Sequence, residues 1–386
     1  MIPKGYKHTE LGVLPEDWEV VRLGDVCEIK KGKVNPKKTE TIPCVELEHI
    51  SQDTGMLLGF IDSREQLSIK NSFSKGDVLF GKLRPYLRKF WRASFDGVCS
   101  SEIWVLQGKK VSNAFLFYLV QTARFSQIAN ATCGTKMPRA DWKLMQDENF
   151  AIPPLAEQEK IAEILSTWDT QIQNFETLIT EKQALKKGLC QTLLTAKTRL
   201  KGFSGDWEVV RLGDVCEILA GGDVPKDAFS KIKTGEYQIP ILSNGIGEKA
   251  LYGFTNQARI EKPCITISAR GTIGYCSLQT EPFYPIVRLI VVLPKSGLNP
   301  RFLYYATMFA DIEGTKSGIP QLTIPMVEKI QIPLPPFTEQ EKIAEILSEV
   351  DNEITLLEQN LESLKSQKRG LMQNLLNGKV RVKVCQ

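Results

Sequence analysis

Apolar residues recur in alternating steps of four and three along two long stretches of the chain, residues 161–193 and 343–375. Lys182, Lys186 and Lys368 interrupt the pattern. Such steps are typical of a heptad repeat, in which a helix buries one seam against a partner helix. The sequence therefore predicts two long helices that pack through Ile161, Leu165, Trp168, Ile172, Phe175, Ile343, Leu347, Val350, Ile354, Leu357 and Leu361.

Both stretches belong to a duplicated frame. The thirteen letters "DWEVVRLGDVCEI" occur at 17–29 and again at 206–218, and "EQEKIAEILS" occurs at 157–166 and at 339–348. The segments between these matches share little sequence, so the chain repeats a scaffold and varies its insertions. A pseudo-two-fold relation between the copies makes the two helices antiparallel. The expected packing positions of the repeated phrase are Trp18, Trp207, Val20, Val209, Leu23 and Leu212.

The long helices are expected to begin after paired prolines, because the residue before a proline is pushed out of the helical region. Thr338, three residues before Glu341, is typical of a capping box at the start of the second helix. The divergent segments are interpreted as mixed α/β. Predicted strands cover 77–83, 102–106, 263–269 and 288–293, and predicted helices cover 113–129 and 300–312.

The predicted fold is a tandem α/β (α+β) arrangement with pseudo-two-fold, circular symmetry. Two globular mixed α/β domains are separated by two long helices that form an antiparallel coiled coil. The segment "GKVRVK" near the carboxyl terminus matches "AKTRLK" between the first helix and the second domain, so we expect it near the first domain. The expected borders are 1–153 for the first domain, 154–198 for the first helix, 199–335 for the second domain, 336–378 for the second helix and 379–386 for the tail.

Composition and charge limit the class of protein only mildly. The 386 residues are 42% hydrophobic and 24% charged, as in ordinary globular proteins, and carry a formal net charge of +4. No apolar run is long enough to span a bilayer, and the first residues lack the pattern of a secretory signal peptide. Nine cysteines without a CxxC spacing favour reduced, buried thiols and a cytoplasmic location.

The search for catalytic motifs favours a binding protein over an enzyme. Only two histidines occur, both in the first half, and no P-loop, GxGxxG or GxSxG motif is present. Neither histidine has a spaced cysteine or carboxylate partner, so no metal site is expected. The acids Glu157, Glu159 and Glu163 have basic neighbours on the same helix and are interpreted as a solvated or partner-facing surface.

Basic residues concentrate in one place. Residues 70–92 contain seven lysines and arginines and one acid, with Tyr86, Phe90 and Trp91 interleaved. Such a stripe suits contacts to phosphates and base edges, and the alternative is a solvated loop whose long basic side chains cover apolar surface. A further cluster, Lys31, Lys33 and Lys37, follows the first copy of the phrase, whereas the second copy leads to Lys226 alone. A rough overlay of 78–84 on 265–270 pairs Arg84 with Arg270.

Together these stretches resemble the specificity subunit of type I restriction–modification systems over nearly the whole chain. The carriers are "GYKHTELGVLPEDWEVVRLGDVCEI", "GDVLFGKLRPYLRK", "IPPLAEQEKIAEIL", "ISARGTIGY" and "IPLPPFTEQEKIAEIL". The resemblance implies a non-catalytic subunit with two target-recognition domains, each reading half of a split double-stranded DNA sequence. The candidate DNA contacts are Lys31, Lys33, Lys37, Lys82, Arg84, Tyr86, Arg88, Lys89, Lys136, Arg139, Lys226, Ser268, Arg270, Thr272, Tyr275, Lys316 and Gln321.

The resemblance also implies partners. Two methyltransferase subunits dock on such a chain, and restriction–motor subunits join the full complex. S-adenosylmethionine, ATP and Mg²⁺ then belong to those partners, and no cofactor or membrane is expected for this chain. A helix of roughly 38 residues is about 57 Å long and spans roughly 17 base pairs. The hypothesis is that this length sets the unread gap. The rival interpretations are a coiled-coil scaffold that binds protein without DNA readout and an enzyme with an unrecognised site.

Overall fold

The computed structural model describes residues 2–38, 41–131, 137–310 and 321–383. The chain divides into two compact units, Met1–Asn174 with Asn360–Gln386 and Phe175–Gln359. The border therefore falls inside both long helices, so each unit takes one part of each. No helix among the described residues is long and apolar enough to cross a membrane.

The first unit is built from short strands and four short α-helices. Its central sheet has the order β10-β9-β12-β4, and a second sheet has the order β5-β8-β11-β6-β7. The elements are β1 Tyr6–Thr9, β2 Gly12–Pro15, β3 Glu19–Arg22, α1 Leu23–Val26, β4 Cys27–Ile29, β5 Lys33–Val34, β6 Pro43–Val45, β7 Ile61–Asp62, β8 Lys70–Phe73, β9 Val78–Gly81, β10 Phe90–Arg92, β11 Gly97–Cys99, β12 Ile103–Gly108, α2 Asn113–Leu119, α3 Ala123–Ala131, α4 Trp142–Met145 and β13 Asn149–Ile152.

The second unit repeats the central sheet in the order β15-β21-β18-β19 and adds a smaller sheet, β17-β16-β20. The two long helices are α5 Leu155–Leu193 and α9 Phe337–Leu376. The remaining elements are β14 Glu208–Arg211, α6 Leu212–Val215, β15 Cys216–Ala220, β16 Ile239–Leu242, β17 Leu251–Thr255, β18 Cys264–Ser268, β19 Cys276–Gln279, β20 Tyr284–Pro285, β21 Leu289–Pro294, α7 Pro300–Phe309, α8 Ile324–Glu328 and β22 Gln331–Leu334.

The repeated phrase folds the same way in both units, as a strand, one helical turn and a second strand. The first strand, β3 or β14, pairs antiparallel with the strand that leads into the long helix, β13 or β22. Trp18, Leu23 and Leu212 are fully buried, as expected. Val209 is 67% exposed, so its predicted packing role is wrong. Identical letters thus meet different surroundings, because the divergent segments supply the covering side chains.

Each unit has its own core, and both long helices contribute to each. In the first unit Ile161 and Leu165, near the start of α5, pack with Leu375 and Leu376 from the end of α9. In the second unit the core takes the end of α5 and the start of α9 in the same way. Burial of these apolar side chains is the main force that attaches the helix ends to the sheets.

The heptad seam is buried, and its lysine interruptions carry ion pairs. In the second unit Lys182 pairs with Glu353 and Lys186 pairs with Asp351, and in the first unit Lys368 pairs with Asp169. The predicted packing residues Ile161, Leu165, Ile343, Leu347, Val350, Ile354 and Leu361 are buried, and Trp168, Ile172, Phe175 and Leu357 are half-buried.

The second long helix begins without the predicted capping box. Helix α9 starts at Phe337, and the Pro336 carbonyl accepts the first backbone bonds, from the N–H groups of Glu339 and Gln340. Pro336 therefore occupies the N-cap position, and Thr338 lies inside the first turn, two residues too late to cap it. The paired prolines extend the preceding strand up to the helix, which places the start earlier than the Thr–Glu spacing indicates.

Candidate nucleic-acid interface

A single turn after β9 presents two exposed side chains of the basic stripe, Arg84 and Tyr86. Pro85–Leu87 forms a 3₁₀ turn, flanked by Arg84 and Arg88 in the left-handed region with φ of 52° and 49°. Non-glycine residues rarely adopt this conformation, which costs about 1 kcal/mol or more. Arg84 is exposed and Tyr86 is 53% exposed. Within the described part of the chain the Arg84 guanidinium makes no hydrogen bond or ion pair, so the turn offers a cation and a ring to solvent.

Two other basic side chains of this turn are occupied inside the protein. Arg88 donates from Nε to Asp53 Oδ1 at 2.6 Å and from Nη2 to the Gln121 carbonyl at 2.9 Å. Lys89 donates from Nζ to the Leu47 carbonyl at 2.6 Å. These contacts hold the left-handed turn in place. Arg88 and Lys89 therefore support the turn, while the half-exposed Lys82 stands beside Arg84 at its start.

Two other basic side chains, one inside the stripe and one beyond it, are already paired with carboxylates. Lys70 is 2% exposed and pairs with Glu46, which removes it from the surface. Arg139 is exposed but bidentate to Glu102, with Nε and Nη2 at 2.9 and 3.3 Å from its two oxygens. Counting lysines and arginines in the sequence therefore overestimates how many are available to a ligand, because some already have carboxylate partners.

The lysines after the repeated phrase are surface residues. Lys31 and Lys37 are exposed, and Lys33, on β5, donates from Nζ to Asn71 Oδ1 at 2.6 Å. Lys226 is exposed in the second unit. Lys136 and Lys316, two further candidates, lie outside the described residues.

In the second unit the matching loop is a glycine turn. The Ser268 N–H donates to the Tyr275 carbonyl at 2.9 Å, which closes the loop between β18 and β19. Gly271 and Gly274 take φ of 78° and 79°, so glycines rather than arginines occupy the left-handed positions here. Thr272 is exposed at the tip, and Arg270 and Tyr275 are half-exposed. Ser268 itself is 1% exposed and lies beneath this loop.

The strand registers correct the expected equivalence of Arg84 and Arg270. Strand β12 pairs with β9 and β4 as β21 pairs with β18 and β15, and this register aligns Leu83 with Arg270. An isolated bridge joins Leu83 to Arg139, and the corresponding bridge joins Arg270 to the exposed Gln321. Arg84 therefore corresponds to the glycine that follows Arg270. The overlay was off by one residue, because letters alone do not fix a strand register.

Two buried acids of the frame were missed as structural residues. Glu157 accepts a hydrogen bond from Trp18 Nε1 at 3.0 Å and two from Arg381, whose Nε and Nη2 lie 2.8 and 2.9 Å from its oxygens. Glu157 is 2% exposed, so its assignment to a solvated surface is wrong. Arg381 also donates to Asp17, and these bonds raise the Arg381 pKa further above its ordinary value.

The second unit contains the same arrangement. Glu339 accepts from Trp207 Nε1 at 3.1 Å and from Arg199, whose Nε and Nη2 lie 2.9 and 2.8 Å away. Trp, Glu and Arg occupy matching places in the repeat, so a signal was present in the sequence. It was overlooked because the two arginines lie in the weakly matching segments "AKTRLK" and "GKVRVK".

Several other side chains that could carry chemistry are buried or hydrogen-bonded within their own unit. Burial raises the pKa of Cys27 and of its repeat equivalent Cys216 to about 12, so both remain protonated, poor nucleophiles at neutral pH. His49 accepts the Glu46 N–H at Nδ1, 3.0 Å away. Among the described residues no group of three or more histidines, cysteines and carboxylates could hold a metal ion.

The same frame occurs twice in the chain, and in each copy a different polar turn follows the matching strand, β9 or β18. The chain is therefore a protein of two tandem, related domains. The model for the family "Type I restriction modification DNA specificity domain" matches residues 15–183 and again residues 204–366. The chain belongs to this family and carries its domain twice.

Known specificity subunits are similar to this chain over most of its length. The type I restriction enzyme MjaVIII specificity subunit of Methanocaldococcus jannaschii is 25% identical over 96% of this chain and 94% of its own. A putative type I specificity subunit of Mycoplasma pneumoniae, S.MpnORF507P, is 26% identical over 84% of this chain and 87% of its own. The crystal structure of a type I S subunit from M. genitalium has a TM-score of 0.66 at 17% identity, covering 93% of this chain and 96% of its own, and shows the same fold.

Proposed function

We propose that the chain is the non-catalytic DNA-recognition subunit of a type I restriction–modification complex. It reads a bipartite double-stranded target, with one half-site for each unit. The observation that carries this proposal is the pair of equivalent turns. Arg84 and Tyr86 occupy the first turn, and Thr272 and Tyr275 occupy the second, at the same end of matching sheets. A shared frame with different exposed side chains suits two related modules that read two different sequences.

The candidate contacts divide into readers and supports. Lys31, Lys37, Lys82 and Lys226 are placed to neutralise phosphates, which fix position without sequence information. Arg84 has a free planar fork that matches the acceptors of guanine, and Gln321 or Thr272 can bond other base edges. Arg88 and Lys89 contribute through the contacts that hold the first turn, and Arg139 contributes through its pairing with Glu102. Lys33 is bonded to Asn71 on β8, and Arg270 and Tyr275 flank the second turn.

The two long helices act as an antiparallel spacer between the half-sites. Support comes from the ion pairs inside each unit. In the second unit the partner numbers fall from Glu353 to Asp351 as the first helix advances from Lys182 to Lys186. Opposite numbering of this kind is what antiparallel pairing requires. The tail residues from 379 onward belong with the first domain, because Arg381 fills the place that Arg199 has in the second unit.

Partners supply the chemistry. Two methyltransferase subunits dock on the duplicated frame, one for each copy, and restriction–motor subunits join them. S-adenosylmethionine, ATP and Mg²⁺ are bound by those subunits, and the complex works in the cytoplasm. This division accounts for the buried, protonated thiols of Cys27 and Cys216, one in each unit.

The direct test is co-expression with the cognate methyltransferase, followed by sequencing of methylated adenines across a genome. The proposal predicts one split motif with a fixed gap. A continuous motif would contradict it, and the absence of salt-sensitive duplex binding would favour the protein-binding scaffold. Methylation by the isolated chain would show that it is an enzyme itself.

A second experiment tests the spacer. Four residues inserted after Glu176, with four more after Asn360, lengthen each helix by about 6 Å, or roughly two base pairs of duplex. The gap in the methylated motif is expected to lengthen while both half-sites stay the same. An unchanged gap in a complex that still methylates would refute the spacer role.

A further inference from the structure

A tyrosine of the first recognition domain is bonded to both long helices at one point. Tyr118, on α2, donates from its hydroxyl to Asp169 Oδ2 on α5 at 2.7 Å. Lys368, on α9, pairs with Asp169, and its ammonium lies 5.7 Å from the centre of the Tyr118 ring. These three side chains, the first polar cluster, tie α2, α5 and α9 together within one unit.

The second unit builds the same cluster with the roles of the long helices exchanged. Tyr305, on α7, donates to Asp351 Oδ2 on α9 at 2.8 Å. Lys186, on α5, pairs with Asp351 at 2.6 Å, and its ammonium lies 5.8 Å from the Tyr305 ring centre. The helices that carry the tyrosines differ at most other positions, "NAFLFYL" against "PRFLYYATMF". The second polar cluster therefore retains the same three groups in a divergent setting.

The clusters are built to hold one geometry. Burial, and next the neighbouring Asp169 carboxylate, raise the pKa of Tyr118, and burial and Asp351 do the same for Tyr305, so both phenols remain donors. Lysine at a seam position costs stability relative to leucine, and a polar residue there fixes the register of a helix pair. Lys186 and Lys368 are two of the three lysines that interrupt the heptad pattern, so the chain gives up apolar packing where each recognition domain meets the helices.

The positions of the clusters delimit a shorter spacer. Asp169 and Lys186 are 17 residues apart on α5, and Asp351 and Lys368 are 17 residues apart on α9, about 25 Å along either helix. Between them Leu178 and Leu185 lie 38% and 48% exposed, because no domain core covers this stretch. Beyond the clusters the helix ends are part of the domain cores.

We propose that the two polar clusters clamp the recognition domains to the long helices, so that the spacer role already proposed for the helices is confined to the segments between the clusters, 170–185 and 352–367. The proposal rests on the proposed function as the split-target subunit and sharpens it. Tyr118, Asp169, Lys368 and their equivalents are positioning residues. They act on the distance between half-sites and leave the half-site sequences untouched.

The test measures gap fidelity by methylome sequencing of the complete complex. Lys368→Met removes the cation, and Tyr118→Phe removes one hydrogen bond. We expect methylation at sites whose gap is one base pair shorter or longer to rise about fivefold in either variant, the weight of one hydrogen bond. Both half-site sequences stay as in the wild type. Lys368→Arg keeps the ion pair and is expected to keep the single gap.

The matched control is Tyr304→Phe, which removes a phenol oxygen from the residue beside Tyr305. No hydrogen bond of that oxygen lies within the described residues, so the gap stays fixed. A single, unchanged gap in Tyr118→Phe and Lys368→Met would overturn the clamp while leaving the split motif intact. An unsplit motif in the wild type would instead refute the proposed function. If Lys368→Met does not fold, Tyr118→Phe decides alone, since loss of one oxygen preserves the packing.

Discussion

The two units are alike where they touch the long helices and unlike where they face away from the core. Both bury a glutamate of the long helix under a tryptophan and an arginine, and both bond a tyrosine to a helix aspartate. The turns that follow β9 and β18 share no residues at aligned positions, and their left-handed positions are arginines in the first unit and glycines in the second. The frame is therefore the same in both units while the exposed turns differ, which fits the proposed reading of two different half-sites.

The unlike turns also differ in what they cost. Arg84 and Arg88 adopt left-handed conformations that are unfavourable for arginine, whereas Gly271 and Gly274 adopt them freely. The first unit offsets this strain with the bonds of Arg88 to Asp53 and to a backbone carbonyl. A charged side chain in a strained, braced position is better oriented than one on a free loop.

The largest effect is expected from removing the buried acids that the units share. Glu157→Ala leaves Trp18 Nε1 without its partner and Arg381 with Asp17 alone. Glu339→Ala leaves Trp207 Nε1 without its partner and Arg199 with the Gly205 carbonyl alone. Each change is expected to lower the free energy of unfolding by about 3 kcal/mol, because removing one partner of a buried ion pair leaves the other polar groups of the site with fewer bonds.

Hydrogen exchange of the full chain checks this prediction unit by unit. Glu157→Ala is expected to lower protection in the first unit and Glu339→Ala in the second. The matched control is Glu159→Ala, an exposed acid two residues along the same helix, with little expected change. Equal loss of protection in both units would show that the two halves do not fold as separate cores.

An intermediate effect, confined to one half-site, is expected at the unlike turns. Arg84→Ala removes the free guanidinium of the first turn and is expected to weaken or relax the first half of the motif by about 1–3 kcal/mol. Thr272→Ala is expected to touch the second half alone. Methylome sequencing reads both halves in one experiment, and a change in both halves after either substitution would argue against independent readout.

The smallest effect is expected at a valine that occupies the same repeat position in both units but differs in burial. Val20 is half-buried, and its repeat equivalent Val209 is 67% exposed. Val20→Ser is expected to cost about 1 kcal/mol, whereas Val209→Ser stays within about 0.5 kcal/mol. Denaturant unfolding of the two variants measures the difference. Equal losses in the free energy of unfolding would contradict the difference in burial between Val20 and Val209.

Local patterns predicted most of the frame correctly. The heptad steps located both long helices, and the strands over 78–81, 103–108, 264–268 and 289–294 fall within a few residues of those expected. The predicted helix over 113–129 is split into α2 and α3, with Thr122 accepting the Phe125 N–H at the break. Helix and strand periodicity are properties of neighbouring residues, so one sequence is enough to read them.

The long-range features were not predictable in the same way. Glu157 looks like a surface acid until Arg381, 224 residues away, is brought to it. The register that pairs Leu83 with Arg270 depends on hydrogen bonds between strands, and the turn letters "RPYLRK" and "RGTIGY" give no indication of it. The heptad pattern treats the lysines of the seam as interruptions and does not predict their ion pairs, because their carboxylate and tyrosine partners lie on other elements.

The central claim is that each unit reads its own half of a split target on a common frame. The most direct measurement replaces residues 30–148 with residues 219–330 of the same chain, keeping both copies of the repeated phrase and both long helices. Co-expression with the cognate methyltransferase, followed by sequencing of methylated adenines, is predicted to give a split motif whose two halves are the same sequence, the second half-site of the wild type. An unchanged motif, or a continuous one, would contradict the account.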